Sequence, residues 1–232
     1  MTARGPGTLL PRTRDFTLAA IAAAYPSEDM TSTFEALRNE LHDHPSLGQM
    51  LARLVDGVAV LQADYLRCFD VGKERVPIYE TEYGRMRGLS KGKDLADVLG
   101  FYEAFGFALA DERAGEMPDH LAIELEFYAL LLYKQSCLVD DAAGWEIVED
   151  ARQKFLRDHL GGFVAALASR PMVSTDPVYG PVTRWCADLV AEECRLAGVV
   201  PAPLDFFASD DASEPANCGG CVNIPGLRGK DP

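Results

Sequence analysis

The residues best able to do chemistry in this chain are six cysteines, four histidines and the carboxylates around them. Cys218-Gly-Gly-Cys221 is the one cysteine pair at chelating spacing, and two thiols so placed can grip a soft metal or close a redox disulfide. A complete zinc or cluster site needs two further ligands. No second pair is present, so Cys194, a partner or a second copy would have to supply them. Cys68, Cys137, Cys186 and Cys194 are scattered through apolar, helix-patterned stretches and read as free buried thiols of a reducing compartment. The histidines, His42, His44, His120 and His159, include no Glu-x-x-His, the motif that a carboxylate-bridged di-iron bundle requires twice. Asp119-His120 and Asp158-His159 reverse the His-Asp order of helical metal phosphohydrolases. His120 and Glu124 are neighbours on a helix, where an ion pair is the commoner outcome and acid–base work the rarer one. There is no Gly-x-Ser-x-Gly elbow, and Gly72-Lys73, Gly92-Lys93 and Gly229-Lys230 lack the framing of a phosphate loop. Neither an enzyme nor a bound cofactor is expected.

The elements that would position these groups are helical. Met117 to Gln135 carries Leu121, Leu125, Tyr128 and Leu132 on one face and Ile123, Phe127, Leu130 and Leu131 on another. A helix apolar nearly all round belongs in the middle of a bundle. Pro118 is placed in its first turn, with Asp119 at the positive end of its dipole. Before it, a loose leader runs to Arg14, and Phe16 to Tyr25 forms a short helix. Ser32-Thr-Phe-Glu35 has the form of a capping box opening a helix to about His42. Ser46 opens a third, whose three-four rhythm runs through Leu54 and Val58 to Tyr65. Asp70 to Lys93, rich in glycine and carrying Tyr79 and Tyr83, breaks the rhythm, and so long a break is usually functional or mobile. Helices follow from Asp94 to Leu109, from Trp145 to His159 with Gly161-Gly162 as a kink, and from Val182 to Gly198. No strand pattern and no internal repeat is found. The expected fold is all-α, a single-domain bundle of roughly eight to ten helices. Residues 1–14 are expected as a flexible leader, 15–198 as the helical domain, and 199–232 as a Pro/Gly/acidic tail with no core of its own.

A net charge of -14, from 36 acidic and 22 basic side chains, disfavours nucleic acid, whose affinity comes from lysine and arginine neutralising phosphates. It suits a basic partner. No apolar run approaches the roughly 18 residues a membrane span needs, so no membrane insertion is expected. Leu18 to Ala24 follows Arg4, Arg12 and Arg14 as a signal peptide would, but Asp15 interrupts the junction and no clean cleavage site follows. It reads as the first helix of a cytoplasmic protein.

Several segments taken in order resemble one family. Tyr25-Pro26-Ser-Glu-Asp is similar to a first-helix "YPDE" ending, and Tyr65-Leu-Arg-Cys-Phe69 followed by Pro77-Ile-Tyr79-Glu80-Thr-Glu-Tyr83 to a "Y..LF... P.YES.Y" segment. Leu95 to Leu109 resembles the next helix, with its "FY.AFG" core. Pro118-Asp119-His120-Leu-Ala-Ile-Glu124-Leu-Glu126-Phe127 resembles the signature "PDHL..ELEF", and Phe155 to Leu160 the "F...HL" element. Together they identify the chain as resembling the TorD/DmsD/NarJ family of redox-enzyme maturation chaperones, closest to accessory subunits of the nitrate, selenate, dimethyl sulfide and ethylbenzene oxidoreductase type. Cys68-Phe69 stands where a Leu-Phe pair is usual, and Thr81 where serine is. The likeness runs from about Ala19 to Gly198 and leaves Cys218 and Cys221 outside it.

The resemblance implies an all-helical chaperone that binds the apo catalytic subunit of a molybdenum enzyme. It also implies engagement of that subunit's N-terminal leader, help with molybdenum cofactor insertion, and a hold on export until assembly is complete. Monomer and homodimer both remain open. A basic leader with an apolar stretch needs an acidic rim and an apolar groove. Tyr65, Tyr79, Glu80, Tyr83, Asp119, His120, Glu124 and Glu126 are the candidate partner-binding residues. Glu80, Asp119 and Glu124 would pair with partner cations, and Tyr79 and Tyr83 would pack on its apolar stretch. Alternatively Glu80, Asp119 and His120 lock the loop onto the central helix, and Phe127 is a core residue. A redox or metal-handling protein acting through Cys218 and Cys221 is the other reading.

Overall fold

The computed structural model describes residues 6–69, 76–84, 91–109 and 116–204. These are all-α, as the periodicity predicts: among the described residues there is no strand, only an isolated antiparallel bridge between Tyr79 and His120. The core is built on α7 (Leu121–Cys137), where Leu121, Leu125, Phe127, Tyr128, Leu131 and Leu132 are all fully buried. Phe127 is thus a core residue, ringed by Tyr102, Phe107 and Phe155.

α1 (Pro6–Ala23) lies along α7, with the Phe16 ring tilted against that of Tyr128, their centroids 4.7 Å apart. It begins well inside the expected leader. Pro6, Gly7 and Pro11 argue locally against a helix there. Tertiary contacts override them: Leu9 is buried, and Arg12 forks onto the carboxylate of Glu193, far along the chain.

α2 (Glu28–Ala36) is capped by Ser27, whose hydroxyl accepts from the Met30 amide at 3.2 Å, so the cap falls five residues before the predicted Ser32. α3 (Arg38–Leu41) is one turn. The long helix expected through Val58 is two, α4 (Gly48–Val55) and α5 (Val58–Phe69), broken where Gly57 takes φ 112°. A positive φ is open to glycine at little steric cost, so the break sits there.

α6 (Lys91–Ala104) precedes α7, and α8 (Ala142–Phe155) follows it as an antiparallel partner capped by Asp141. α8 runs on through a π-turn, Leu156–Leu160, into α9 (Gly161–Ala168), so the glycine pair continues the helix. Glycine is needed there because a Cβ at Gly162 would lie 2.4 Å from the Ala202 carbonyl oxygen, and one at Gly161 2.4 Å from a Pro201 ring carbon. Residues 199–204 therefore pack back onto the body, with Val199 and Leu204 against the core, and the predicted domain end at 198 falls short. α10 (Pro171–Ser174) is a turn inside the expected proline loop, and α11 (Tyr179–Ala197) ends at Gly198 in the left-handed conformation, as predicted.

A polar hub missed by sequence reading joins four helices. Arg152 of α8 donates to Glu193 of α11 at 2.7 Å and to Gln135 of α7, and Tyr128 of α7 donates to the same Glu193 at 2.8 Å. Arg12 of α1 completes it, so no buried charge in it lacks an opposite partner. Of the expected buried thiols, Cys68, Cys186 and Cys194 are buried and free, whereas Cys137, in the last turn of α7, is exposed. Burial pushes the Cys68 and Cys186 thiols up to about 12, which keeps them protonated and unreactive. Cys218 and Cys221 lie outside the described residues.

Candidate functional site

The start of α7 is where the predicted residues meet. Pro118 and Asp119 are not in its first turn but form the turn before it, and His120 is the N-cap. Tyr102 fixes that turn by donating to the Pro118 carbonyl at 2.8 Å. The His120 Nδ1 accepts from the Ala122 amide at 3.0 Å, so this nitrogen carries the lone pair and the ring proton sits on Nε2, facing the Tyr65 hydroxyl at 3.0 Å. The expected His120–Glu124 ion pair is therefore not made, because both ring nitrogens are engaged elsewhere.

Residues 76–84 are laced to this turn. The Glu80 amide donates to the Asp119 carbonyl at 2.9 Å, and the Leu121 amide to the Ile78 carbonyl at 3.1 Å. Thr81 donates to Asp119 Oδ2 twice, from its amide at 3.0 Å and its hydroxyl at 2.6 Å. Tyr83 closes the loop on itself by donating to the Pro77 carbonyl, with its ring 5.3 Å from Phe163. Tyr83 is thus an internal packing residue.

Glu80 and Asp119 face inward, and so does Glu124, against the expectation that all three meet partner cations. Glu80 receives His159 Nδ1 at 3.1 Å, while His159 Nε2 reaches Asp97 at 3.2 Å. Burial by itself would lower the His159 pKa, but the hydrogen bond and charge of Glu80, with Asp97 behind, hold it above the usual histidine value. Glu124 is fully buried, and burial first, then the charges of Glu80 and Asp119, push its carboxyl well above the carboxylate range. Ionised, it would face no donor; protonated, it can donate to Glu80. Asp119 and the Glu80 amide hold the loop on the helix start, the locking role that the sequence offers for Glu80, Asp119 and His120.

Two of the eight candidates line a groove. It lies between the end of α1 with the start of α2 on one side and residues 107–109 with the start of α7 on the other, and its volume is about 680 Å³. Ile21, Tyr25, Met30, Phe107, Leu109 and Ile123 give it apolar walls. Among the described residues its charged liners are Asp29, Glu116 and Glu126, all acidic, beside His120. Tyr79 stands at its border, donating to Glu116 at 2.8 Å with its ring 5.3 Å edge-on to His120. Tyr65 supports it from behind, through His120 and through edge contact with the half-exposed Tyr25.

Sequence reading missed Tyr25, Asp29 and Glu116 as site residues. The first two fall in the Tyr25-Pro26-Ser-Glu-Asp motif that carried part of the resemblance, so that motif was the available signal. Among the described residues no group of His, Cys, Asp and Glu is arranged to hold a metal ion, and no helix is long and apolar enough to cross a membrane.

The helical body thus presents an acidic, apolar-walled groove beside the loop held to the start of α7. The chain is 34% identical over 145 residues to the selenate reductase assembly chaperone protein of Thauera selenatis, covering 61% of this chain and 72% of that one. It is 34% identical over 148 residues to the chlorate reductase assembly chaperone protein of Ideonella dechloratans, covering 62% and 74%. The crystal structure of a candidate redox enzyme maturation protein from Archaeoglobus fulgidus superposes with a TM-score of 0.47 at 19% identity, over 78% of this chain and 93% of that one. Residues 27–169 match the family described as nitrate reductase delta subunit, and the chain belongs to that family.

Proposed function

We propose that this protein is a dedicated cytoplasmic chaperone for the apo catalytic subunit of a molybdenum-containing oxidoreductase. It binds that subunit's N-terminal leader in the groove between α1–α2 and the start of α7. It assists molybdenum cofactor insertion and holds back export until assembly is complete. The observation that carries the reading is the groove itself: apolar walls with Asp29, Glu116 and Glu126 as its charged liners suit a leader that is basic at one end and apolar beyond. Its relatives named as reductase assembly chaperones support the client class.

Tagged protein recovered from its host under electron-accepting growth tests this. A large molybdopterin-type subunit is expected to co-purify and to be lost as salt rises through the Debye-screening range. An Asp29→Lys/Glu126→Lys variant, which reverses two groove charges, is expected to recover at least tenfold less of it, by the order of effect that close opposite charges exert at interfaces. Equal recovery by wild type and variant would place the client elsewhere on the surface.

A further inference from the structure

The groove has a second candidate occupant in this chain. We propose that residues 222–230, Val-Asn-Ile-Pro-Gly-Leu-Arg-Gly-Lys, dock there when no client holds it, a proposal that rests on the groove being a site for basic, apolar peptides.

Charge selects this stretch from the rest of the tail. Asp205, Asp210, Asp211 and Glu214 make the stretch just beyond the described body acidic, and the acidic groove would repel it. Residues 222–230 carry Arg228 and Lys230 and no acid, with Val222, Ile224 and Leu227 as apolar anchors. Pro225 biases Ile224 toward an extended backbone, the form in which a peptide lies along a groove. The segment has the composition that the groove is read as taking from a client.

Reach is sufficient. Leu204 packs beside Gly84 and Gly162, so the chain leaves the described body against the loop that carries Tyr79. Tyr79 binds Glu116 and touches His120, both groove liners, and it lies five positions before Gly84, at most about 18 Å of chain. The 20 residues from Leu204 to Ile224 span about 66 Å when extended and about 25 Å as an ideal coil. A tethered segment of that length reaches its site at an effective concentration in roughly the millimolar range. A short free peptide must compete with it, whereas a leader attached to a whole subunit brings further contacts to displace it.

The probe is a fluorescein-labelled synthetic peptide of residues 216–230 with both cysteines as serine, titrated into the full-length chain. An Arg228→Glu/Lys230→Glu chain, altered only outside residues 6–204, is expected to bind the probe roughly tenfold more tightly than wild type, because the tethered competitor is gone. Adding Asp29→Lys to that variant is expected to abolish the gain. Equal affinity for the wild-type and Arg228→Glu/Lys230→Glu chains overturns the proposal. So does a wild-type chain that is dimeric by light scattering and turns monomeric with the tail substitutions, since the segment then occupies a second copy. A labelled leader of the co-purifying subunit serves as the reference. If the leader binds and the tail peptide does not, the proposal falls and the groove keeps its client; if neither binds, the groove reading falls first.

Discussion

His120 closes the N-terminus of α7 with one ring nitrogen and holds Tyr65 with the other, at 3.0 Å on each side. One buried side chain thus caps the central helix, fixes α5 against it and lines the groove. His120→Asn keeps a good capping residue and loses the Tyr65 contact, whereas His120→Ala loses both. Urea unfolding is expected to show the alanine variant about 1–2 kcal/mol less stable than the asparagine variant, the usual worth of a cap. Equal stabilities would mean that the cap contributes nothing.

Protonation should tie stability to pH through the loop lock. Glu124 has its folded pKa raised from 4.5, so the folded state keeps a proton that the unfolded state releases. That contribution is complete below about 4.5 and is lost as pH rises through the raised value. His159 behaves likewise, being raised from 6.5 by Glu80 and Asp97 against its burial, so its contribution is lost above that value. Glu124→Gln is therefore expected to gain stability over wild type as pH rises from about 5 to about 8, and His159→Gln to flatten the decline above about 6.5. Denaturant titrations at stepped pH check both. Wild-type and variant curves that stay parallel would rule the linkage out.

The hub around Glu193 makes a different demand. Arg152→Met leaves Glu193 with Arg12 as its remaining basic partner, in a site where Arg152 and Glu193 are each nearly inaccessible. Breaking a buried pair from one side costs about 3–5 kcal/mol, because the charge left behind is under-compensated. Adding Glu193→Gln is expected to restore part of the loss, which calorimetry of the single and double variants would measure.

Gly162→Ala probes the return of the chain over the body. The added methyl would lie 2.4 Å from the Ala202 carbonyl oxygen, and backbone cannot yield as a side-chain tip can. The segment 199–204 is expected to lift, at a cost of about 1–3 kcal/mol as for other overpacked sites. Limited proteolysis should then cut after residue 198 faster than in wild type.

The all-α class, the central place of α7, the stop at Gly198 and the gathering of polar candidates near Pro118 to Glu126 were legible from residue order alone. Each depends on local rules: apolar periodicity, turn chemistry, and motifs written within a few residues. The start of α1 was not, because proline and glycine point locally the other way and the deciding contact, Arg12 with Glu193, spans 181 positions. The break at Gly57 was not, because one glycine does not say whether the helix bends, ends or continues.

The same limit decided the site. Sequence placed eight candidates in one region but could not say which way each faces. Thr81 meets Asp119 across 38 positions, Tyr65 meets His120 across 55, and His159 meets Glu80 across 79. Those pairings hold Glu80 and Asp119 inward, where Glu124 is buried beside them, and leave His120 and Glu126 on the groove. Residue order determined that acids and aromatics gather at the start of a buried helix. Tertiary structure decided which of them turn inward and which of them line the groove, because a side chain's facing is fixed by partners distant in sequence.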